Sequence, residues 1–120
     1  MLHLFGVNLP DKKVVRVALT YIYGIGPMTA EKICHQLYIH RECKLKELDE
    51  NKINQLSEVL SKLTIQQDLK RQENKNIQGL KSINCYVGRR HAMGYPVHGQ
   101  RTRNNCKTAK RLNSKRGFMR

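Results

Sequence analysis

The chain has 120 residues, of which 23 are Lys or Arg and 9 are Asp or Glu, so its formal net charge is +14. That length suits one domain, or one small domain with a tail, and the 39% of hydrophobic residues suffices for one small core rather than a large enzyme with a deep pocket. The longest stretch without a charged residue, residues 17–30, is shorter than the ~18 apolar residues that a membrane span needs.

The four cysteines do not form closely spaced pairs, and no secretory signal is evident. A disulfide-stapled secreted scaffold is therefore not expected, and the pattern favours a reducing compartment. His35 and His40 lie near Cys34 and Cys43, but the two cysteines are nine positions apart, whereas zinc sites begin with ligands about two to four residues apart. We expect unpaired thiols at Cys34, Cys43, Cys85 and Cys106, with no metal and no cofactor.

Charge is unevenly distributed along the chain. Residues 1–73 carry 11 basic residues and all 9 acids, whereas residues 74–120 carry 12 basic residues and no acid. The second stretch repels itself and needs an anionic partner, for which nucleic acid is a better candidate than a membrane. We predict a helical body over residues 1–83 and a basic RNA-binding loop and extended tail over residues 84–120. The segment from about residue 95 onward is expected to be disordered in the free protein.

In chain order, an extended or irregular segment over residues 2–10 precedes a short helix with Asp11 as its candidate N-cap. Pro27 suits the first turn of a second helix, because its missing N–H is not needed there. Cys34 falls on the apolar stripe of that second helix. The apolar face predicted for the first helix comprises Val14, Val17, Ala18, Tyr21 and Ile22.

Two further helices complete the predicted body. Asp49 could cap a third helix, and a fourth, over about residues 67–83, is polar enough to indicate a bridging or partner-binding element. From Tyr86 onward, closely spaced glycines and a proline predict loop, with a last short helix over about residues 104–112. The predicted fold class is mainly α, with a small helical domain followed by the extended basic tail.

Gly24-Ile25-Gly26 joins the first two helices in the manner of a helix-hairpin-helix. Glycine permits the positive φ of a tight turn, and backbone without a Cβ can approach a phosphate held by the N–H groups of the next helix. Ile25 would face inward as an anchor, and Gly26→Val would block the turn or the approach. The alternative, that the glycines only make a tight corner, stays open on these residues alone.

Residues 85–103 combine arginines with glycines, histidines and tyrosines. Guanidinium groups bind phosphates bidentately and stack on exposed bases, and Gln100, Thr102 and the histidines can bind riboses or base edges. RNA is recognised by shape, 2′-hydroxyl groups and unpaired bases, so an irregular basic strand suits it. We expect Tyr86 in the core and leave Tyr95 open between core and base stacking. The residues predicted mainly to neutralise phosphates are Arg89, Arg90, Arg101 and Arg103.

No catalytic constellation is present in the sequence. It has no serine nucleophile elbow, no P-loop and no His-Glu-x-x-His motif. No carboxylate follows Glu73, so no acid pair can act in the basic region. We predict that the protein is not an enzyme and has no catalytic residues.

Four blocks of the sequence, in order and spacing, resemble the small-subunit ribosomal protein S-thirteen family over essentially the whole chain. A helix-hairpin-helix DNA-binding accessory factor, the runner-up, would share only the Gly-Ile-Gly block. The blocks are Gly6-Val7-Asn8-Leu9-Pro10, Ala18-Leu19-Thr20-Tyr21-Ile22-Tyr23-Gly24-Ile25-Gly26, Cys85-Tyr86-x-Gly88-x-Arg90-His91 and Pro96-Val97-x-Gly99-Gln100-Arg101-Thr102-Arg103-Asn104.

The resemblance implies a helical body with a helix-two-turn-helix core, packed on rRNA in the head of the small subunit. It implies head protein S-nineteen as a neighbour, a bridge to large-subunit protein L-five, and a basic tail that reaches toward tRNA. The residues implied to bind RNA are Gly24, Gly26, Arg89, Arg90, His91, Gln100, Arg101, Thr102, Arg103, Lys107, Lys110, Arg111, Lys115 and Arg116.

The last block departs from the bacterial pattern. Bacterial members usually continue with Thr-Asn-Ala-Arg-Thr. This chain instead reads Asn104-Asn105-Cys106-Lys107-Thr108-Ala109-Lys110-Arg111-Leu112-Asn113, which is similar to fungal mitochondrial members. It ends in Gly117-Phe118-Met119-Arg120 rather than a lysine run, so the rRNA contact is better supported than the tRNA contact. We expect a mitochondrial ribosome, with bacterial cytoplasm or a plastid as alternatives. Without a typical presequence before residue 11, import would use an uncleaved or internal signal, or the gene would be organellar.

Overall fold

The structure, a computed structural model, describes residues 2–116, with side chains as far as residue 113. The chain divides into two compact units, Met1–Lys70 and Arg71–Arg120. Helices dominate the described residues, which confirms the predicted mainly-α class. Within residues 2–116, no helix is both long and apolar enough to cross a membrane.

The segment expected to be extended or irregular is a β-hairpin. Strand β1 (Leu2–Leu4) pairs antiparallel with β2 (Val7–Leu9), and Leu2 lies opposite Leu9. Phe5 and Gly6 form the turn with φ values of 50° and 79°, as a two-residue hairpin turn requires. Leu9 is fully buried, so the hairpin contributes directly to the core of the first unit.

That core lies among α1 (Val15–Ala18), a 3-10 turn (Leu19–Tyr21), α2 (Pro27–Gln36) and α3 (Glu50–Ser61). Among the described residues, every buried hydrophobic side chain belongs to the first unit. Pro27 occupies the first turn of α2 and Cys34 is buried, as predicted. The core comprises Leu9, Val15, Ala18, Leu19, Ile22, Ile25, Ala30, Ile33, Cys34, Leu37, Leu45, Leu56, Leu60 and Ile65.

The first helix differs from its prediction in both its cap and its buried face. Asp11 does not cap it; its Oδ1 accepts the N–H of Leu2 at 3.0 Å, and the helix begins after an extended Val14 that bridges to Lys44. Because the helix lasts about one turn before tightening into the 3-10 turn, the period of 3.6 residues is not maintained. The side chains of Val17 and Tyr21 are therefore 38% and 49% exposed. Val15 and Leu19 are buried alongside the predicted Ala18 and Ile22.

The third and fourth helices match the sequence prediction closely. Asp49 caps α3, its Oδ1 accepting the N–H of Glu50 at 3.0 Å. Helix α4 (Gln66–Ile83) buries no residue along its length. Such a polar helix is not stabilised by burial of its own side chains, and its predicted bridging or partner-binding role stays a prediction.

The loop predicted from Tyr86 onward is wrong over its first eight residues, which form α5 (Tyr86–Met93). Gly88 is not a break: a Cβ there would lie 2.1 Å from the carbonyl oxygen of Leu80, so glycine permits close packing of α5 on α4. Gly94, with φ of 76°, ends α5 as a left-handed cap. The last helix, α6 (Lys107–Arg116), begins three residues later than expected.

Candidate RNA interface

The hairpin between α1 and α2 needs glycine at only one of its two glycine positions. Gly24 has φ of 99°, which residues with a side chain rarely adopt. Gly26 is extended, with φ of −91° and ψ of 176°, and a Cβ there would meet nothing within 4 Å. The expectation that Gly26→Val blocks the turn is therefore wrong. Ile25 is buried as the predicted anchor.

The beginning of α2 offers backbone donors in an electropositive position. Gly26 is the N-cap, no side chain of the described residues caps this end, and the first turn contains no acid. Helix α3 differs, because Asp49 caps it and Glu50 lies in its first turn. The first-turn N–H groups of a helix and its dipole attract anions, so this end of α2 is the better suited of the two to a phosphate.

Two lysine–tyrosine pairs flank the hairpin. The Nζ of Lys13 donates to the hydroxyl of Tyr21 at 2.6 Å, and the Nζ of Lys70 lies 5.3 Å from the centre of the Tyr23 ring. Gln66 holds α4 to this turn, since its N–H donates to the carbonyl of Tyr23 and its Oε1 accepts the Tyr23 N–H. Sequence reasoning missed both lysines because neither pairing follows a helix or strand period, and Lys70 is also distant from Tyr23 along the chain.

In the second unit, Arg90 lies against two tyrosine rings. Its guanidinium carbon is 5.4 Å from the centre of the Tyr86 ring and 5.3 Å from that of Tyr95, and its Nε donates to the Tyr86 hydroxyl at 3.0 Å. Tyr86 is 58% exposed, so its prediction as a core residue is wrong. Residues four apart on a helix are neighbours on its surface, and Tyr86 uses that spacing to hold Arg90.

The other predicted RNA-binding side chains of the second unit are mostly exposed. His91 is half-buried, and the side chains of Lys115 and Arg116, in the last turn of α6, lie outside the described residues. With no carboxylate after Glu73, this surface is strongly electropositive. The exposed predicted residues are Arg89, Gln100, Arg101, Thr102, Arg103, Lys107, Lys110 and Arg111.

A groove of about 800 Å³ opens within the second unit, between the end of α5, the segment after it and α6. Sequence reasoning did not find this groove, because its walls come from segments up to 22 residues apart. Three of the predicted RNA-binding residues line it, namely His91, Gln100 and Arg101. The lining residues are His91, Tyr95, Pro96, Val97, His98, Gln100, Arg101, Asn104, Asn105, Thr108, Ala109, Leu112 and Asn113.

The four cysteines are free thiols, and two of them shape the second unit. The Sγ of Cys85 accepts the N–H of Gly88 at 3.3 Å and so caps α5, and the Sγ of Cys106 donates to the Thr102 carbonyl at 2.7 Å. In the first unit, burial raises the pKa of the Cys34 thiol, and nearby Cys43 raises it further. The described residues contain no group of three or more His, Cys, Asp or Glu side chains able to hold a metal ion.

Comparison with known proteins places similar sequences along nearly the whole chain. The chain matches the family model for ribosomal protein S13/S18 over residues 3–108, which include the hairpin and nearly all of the groove. It is 47% identical over 121 aligned residues to "Small ribosomal subunit protein uS13m" of Schizosaccharomyces pombe. The alignment covers 99% of this chain and 80% of that relative.

Proposed function

Because this chain belongs to the ribosomal protein S13/S18 family, and is thus a structural, non-enzymatic constituent of the small ribosomal subunit, we propose that it binds rRNA of the subunit head. The observation that carries the proposal is the second unit, whose exposed cations lie on a segment without carboxylates after Glu73. Such a surface gains free energy by releasing the counterions of an RNA backbone.

The first unit contributes a phosphate contact at the hairpin. The uncapped, acid-free N-terminus of α2 presents its N–H groups there, and the absence of a Cβ at Gly26 leaves the approach open. Lys13 and Lys70, each against a tyrosine ring, add positive charge beside the turn. In this proposal Gly24 shapes the turn, and Gly26 admits the phosphate.

In the second unit, the exposed arginines track the RNA backbone, and the α6 cations extend the contact. Arg89, Arg101 and Arg103 act as phosphate ligands, while Arg90 combines its charge with the two tyrosine rings. His91, Gln100 and Thr102 supply hydrogen bonds to riboses and base edges. The basic segment continues through α6 with Lys107, Lys110 and Arg111, and then with Lys115 and Arg116.

We assign the protein to the mitochondrial ribosome. The 47% identity to the S. pombe uS13m protein supports this location. The sequence of residues 104–108, which is similar to fungal mitochondrial members, supports it as well. We further propose head protein S-nineteen as a neighbour, large-subunit protein L-five as the partner across an intersubunit bridge, and tRNA as a partner of the basic tail. These three partners are supported by family membership and by the charge of the tail.

A salt series of filter-binding measurements tests the proposed RNA contact. Each phosphate contact contributes roughly 0.7–0.9 to the slope of log affinity against log salt. Replacing the four arginines of residues 89–103 by alanine should therefore flatten the slope by about three units, on head rRNA and on a scrambled RNA alike. The variant replaces Arg89, Arg90, Arg101 and Arg103.

A matched variant controls for the loss of net charge. It replaces four exposed cations of the first unit, none of which we assign to RNA, and should change the slope by less than one unit. The phosphate assignment would be contradicted if the arginine variant kept the slope and lost affinity only for head rRNA. That result would mean that the segment recognises bases. Stronger competition by duplex DNA than by rRNA would contradict the proposal as a whole. The control residues are Lys12, Lys32, Arg41 and Lys46.

A further inference from the structure

The groove of the second unit has walls of two chemical kinds. One part of the lining is apolar and consists of an aromatic ring and aliphatic side chains. None of these side chains is buried in the second unit; they belong to Tyr95, Pro96, Val97, Ala109 and Leu112. The other lining residues carry amides, imidazoles, a hydroxyl and one guanidinium. The groove of about 800 Å³ therefore offers apolar surface beside many hydrogen-bonding groups.

The polar part of the groove is suited to the edge of a nucleobase. Side-chain amides offer both donors and acceptors, so Gln100, Asn104 and Asn105 can match the mixed donor and acceptor edge of an unpaired base. Arg101, which also lines the groove, can hold the phosphate of the same nucleotide. No carboxylate lines the groove, so nothing in it repels an anionic ligand.

Internal hydrogen bonds hold the groove in shape. The backbone N–H of Tyr95 donates to the carbonyl of Arg90 at 3.0 Å, and the Arg90 guanidinium lies over the Tyr95 ring without lining the groove. The Cys106 thiol binds the Thr102 carbonyl and so ties the amide-bearing segment to the start of α6. Because the segment from about residue 95 onward is expected to become ordered when its anionic partner binds, these bonds define the groove in the bound state.

We infer that this groove receives the base of one unpaired rRNA nucleotide, with Tyr95 as its stacking surface and Gln100, Asn104 and Asn105 as its hydrogen-bond partners. The inference rests on the proposed rRNA binding and extends it from backbone contact to capture of a base. Charge selects this occupant over a protein segment, because Lys107, Lys110 and Arg111 lie exposed on α6, the same helix that lines the groove. An unstacked nucleotide has both an apolar face and an anionic phosphate, which a positively charged surface attracts.

The test compares two single-stranded 12-mer oligoribonucleotides that have the same number of phosphates. One has mixed sequence, and the other has the same sugar–phosphate backbone without any bases. Since stacking of a base on a protein aromatic ring contributes ~1–3 kcal/mol, the full-length wild-type protein should bind the intact oligonucleotide about tenfold more tightly. Equal affinity for the two would overturn the inference while leaving phosphate binding intact. Failure to bind either one would count against the proposed function itself.

A matched pair of substitutions locates the base. Ala109→Leu fills the groove without changing charge, and Ala92→Leu makes the same change on the exposed face of α5, outside the groove. Ala109→Leu should remove the tenfold preference while keeping the affinity for the base-free oligonucleotide, whereas Ala92→Leu should retain both. A preference that survives Ala109→Leu would overturn the inference and leave a protein segment as the occupant to test.

A crosslinking measurement on the wild-type protein keeps the inference testable if Ala109→Leu disturbs folding. A 12-mer with 5-iodouridine at one central position is irradiated with the protein, and the crosslinked peptide is identified by mass spectrometry. The expected peptide contains Tyr95, and an equimolar amount of the base-free oligonucleotide should not abolish the crosslink. Crosslinks confined to peptides outside residues 91–113 would refute base capture in the groove.

Discussion

At the scale of single residues, the two glycines of the hairpin have different roles. Gly24 has a positive φ that makes the turn possible, whereas Gly26 is extended and accommodates any residue. Both positions of the Gly-Ile-Gly motif are glycine. Only the backbone conformation therefore distinguishes the residue that shapes the turn from the residue proposed to admit a phosphate. Folding and RNA binding should therefore respond to different substitutions.

Gly24→Ala should lower the free energy of unfolding by about 1–3 kcal/mol, the usual cost of a side chain in a sparsely populated backbone region. The added Cβ would also lie 2.8 Å from Cδ2 of Leu69, but the end of that side chain can move. Gly26→Ala is the matched control and should change stability by less than about 0.5 kcal/mol. Urea unfolding measures the free energy of unfolding of both variants. Equal losses of unfolding free energy would contradict the assignment of the turn to Gly24.

The buried thiol of Cys34 should be the slowest of the four cysteines to react with iodoacetamide at pH 8. Burial raises its pKa and Cys43 adds to the effect, so the reactive thiolate is scarce in the folded chain. Mass spectrometry of time points should find the half-buried Cys106 labelled before Cys34. Labelling of Cys34 at the same rate as Cys106 in folded protein would contradict its burial.

The same raised pKa has a consequence for stability. Above the ordinary pKa of a cysteine, the unfolded chain loses the Cys34 proton while the folded chain keeps it. The unfolded state is then favoured, so this group's contribution is complete below that pKa and is lost as pH rises toward the folded value. Cys34→Ala should reduce the fall of unfolding free energy with pH above about pH 8.5. An identical fall in both proteins would show that Cys34 does not contribute.

At the scale of elements, the packing of α5 on α4 depends on one glycine. A Cβ at Gly88 would lie 2.1 Å from the Leu80 carbonyl oxygen, 2.6 Å from its carbonyl carbon and 2.9 Å from the backbone nitrogen of Lys81. These are all backbone atoms, so the clash is relieved only if the two helices move apart. The Cys85 thiol that caps α5 supports the same close approach through its bond to the Gly88 N–H.

Gly88→Ala should therefore separate the α4–α5 pair, and amide hydrogen exchange over residues 86–93 should accelerate at least tenfold. Gly79→Ala is the control on the same pair of helices. Nothing lies within 4 Å of a Cβ at Gly79, and alanine within a helix is favoured over glycine by about 0.5–1 kcal/mol. Exchange in the control should be unchanged or slower. Similar exchange in the two variants would contradict the close packing.

At the scale of the whole molecule, hydrophobic core and charge are segregated along the chain. Every buried hydrophobic side chain among the described residues lies in the first unit, while residues 74–120 hold 12 cations and no acid. The first unit is stabilised by its core, whereas the second has little apolar burial to oppose its self-repulsion. The second unit should therefore depend on its anionic partner for stability.

We predict that, in the free protein, amide exchange is slow in the first unit and close to the unprotected rate from about residue 95 onward. Addition of head rRNA should slow exchange over residues 95–113 and at the start of α2 while leaving the core of the first unit unchanged, because bound phosphates neutralise the repulsion and occupy the free N–H groups. Poly-glutamate of equal charge is the control for a general polyanion effect. Strong protection of residues 95–113 without any polyanion would contradict the dependence on a partner.

The sequence by itself determined the features that depend on local chemistry and on composition. Pro27 and Asp49 mark helix starts in the structure because their backbone and capping preferences act over one or two residues. The mainly-α class and membership in the S13/S18 family also followed from local pattern and motif order. The acid-free basic region is a property of composition alone.

Tertiary structure alone decided the features that depend on which distant segments meet. The bridge of Val14 to Lys44 keeps Val14 extended, so the first helix begins only at Val15, and no local period contains that information. Gly88 signals a break by propensity, yet it lies within a helix because Leu80 of α4 packs against it. The groove likewise exists only where α5, the following segment and α6 come together. Secondary-structure propensity acts over a few residues, whereas packing couples residues far apart in sequence. At these positions packing outweighed local propensity.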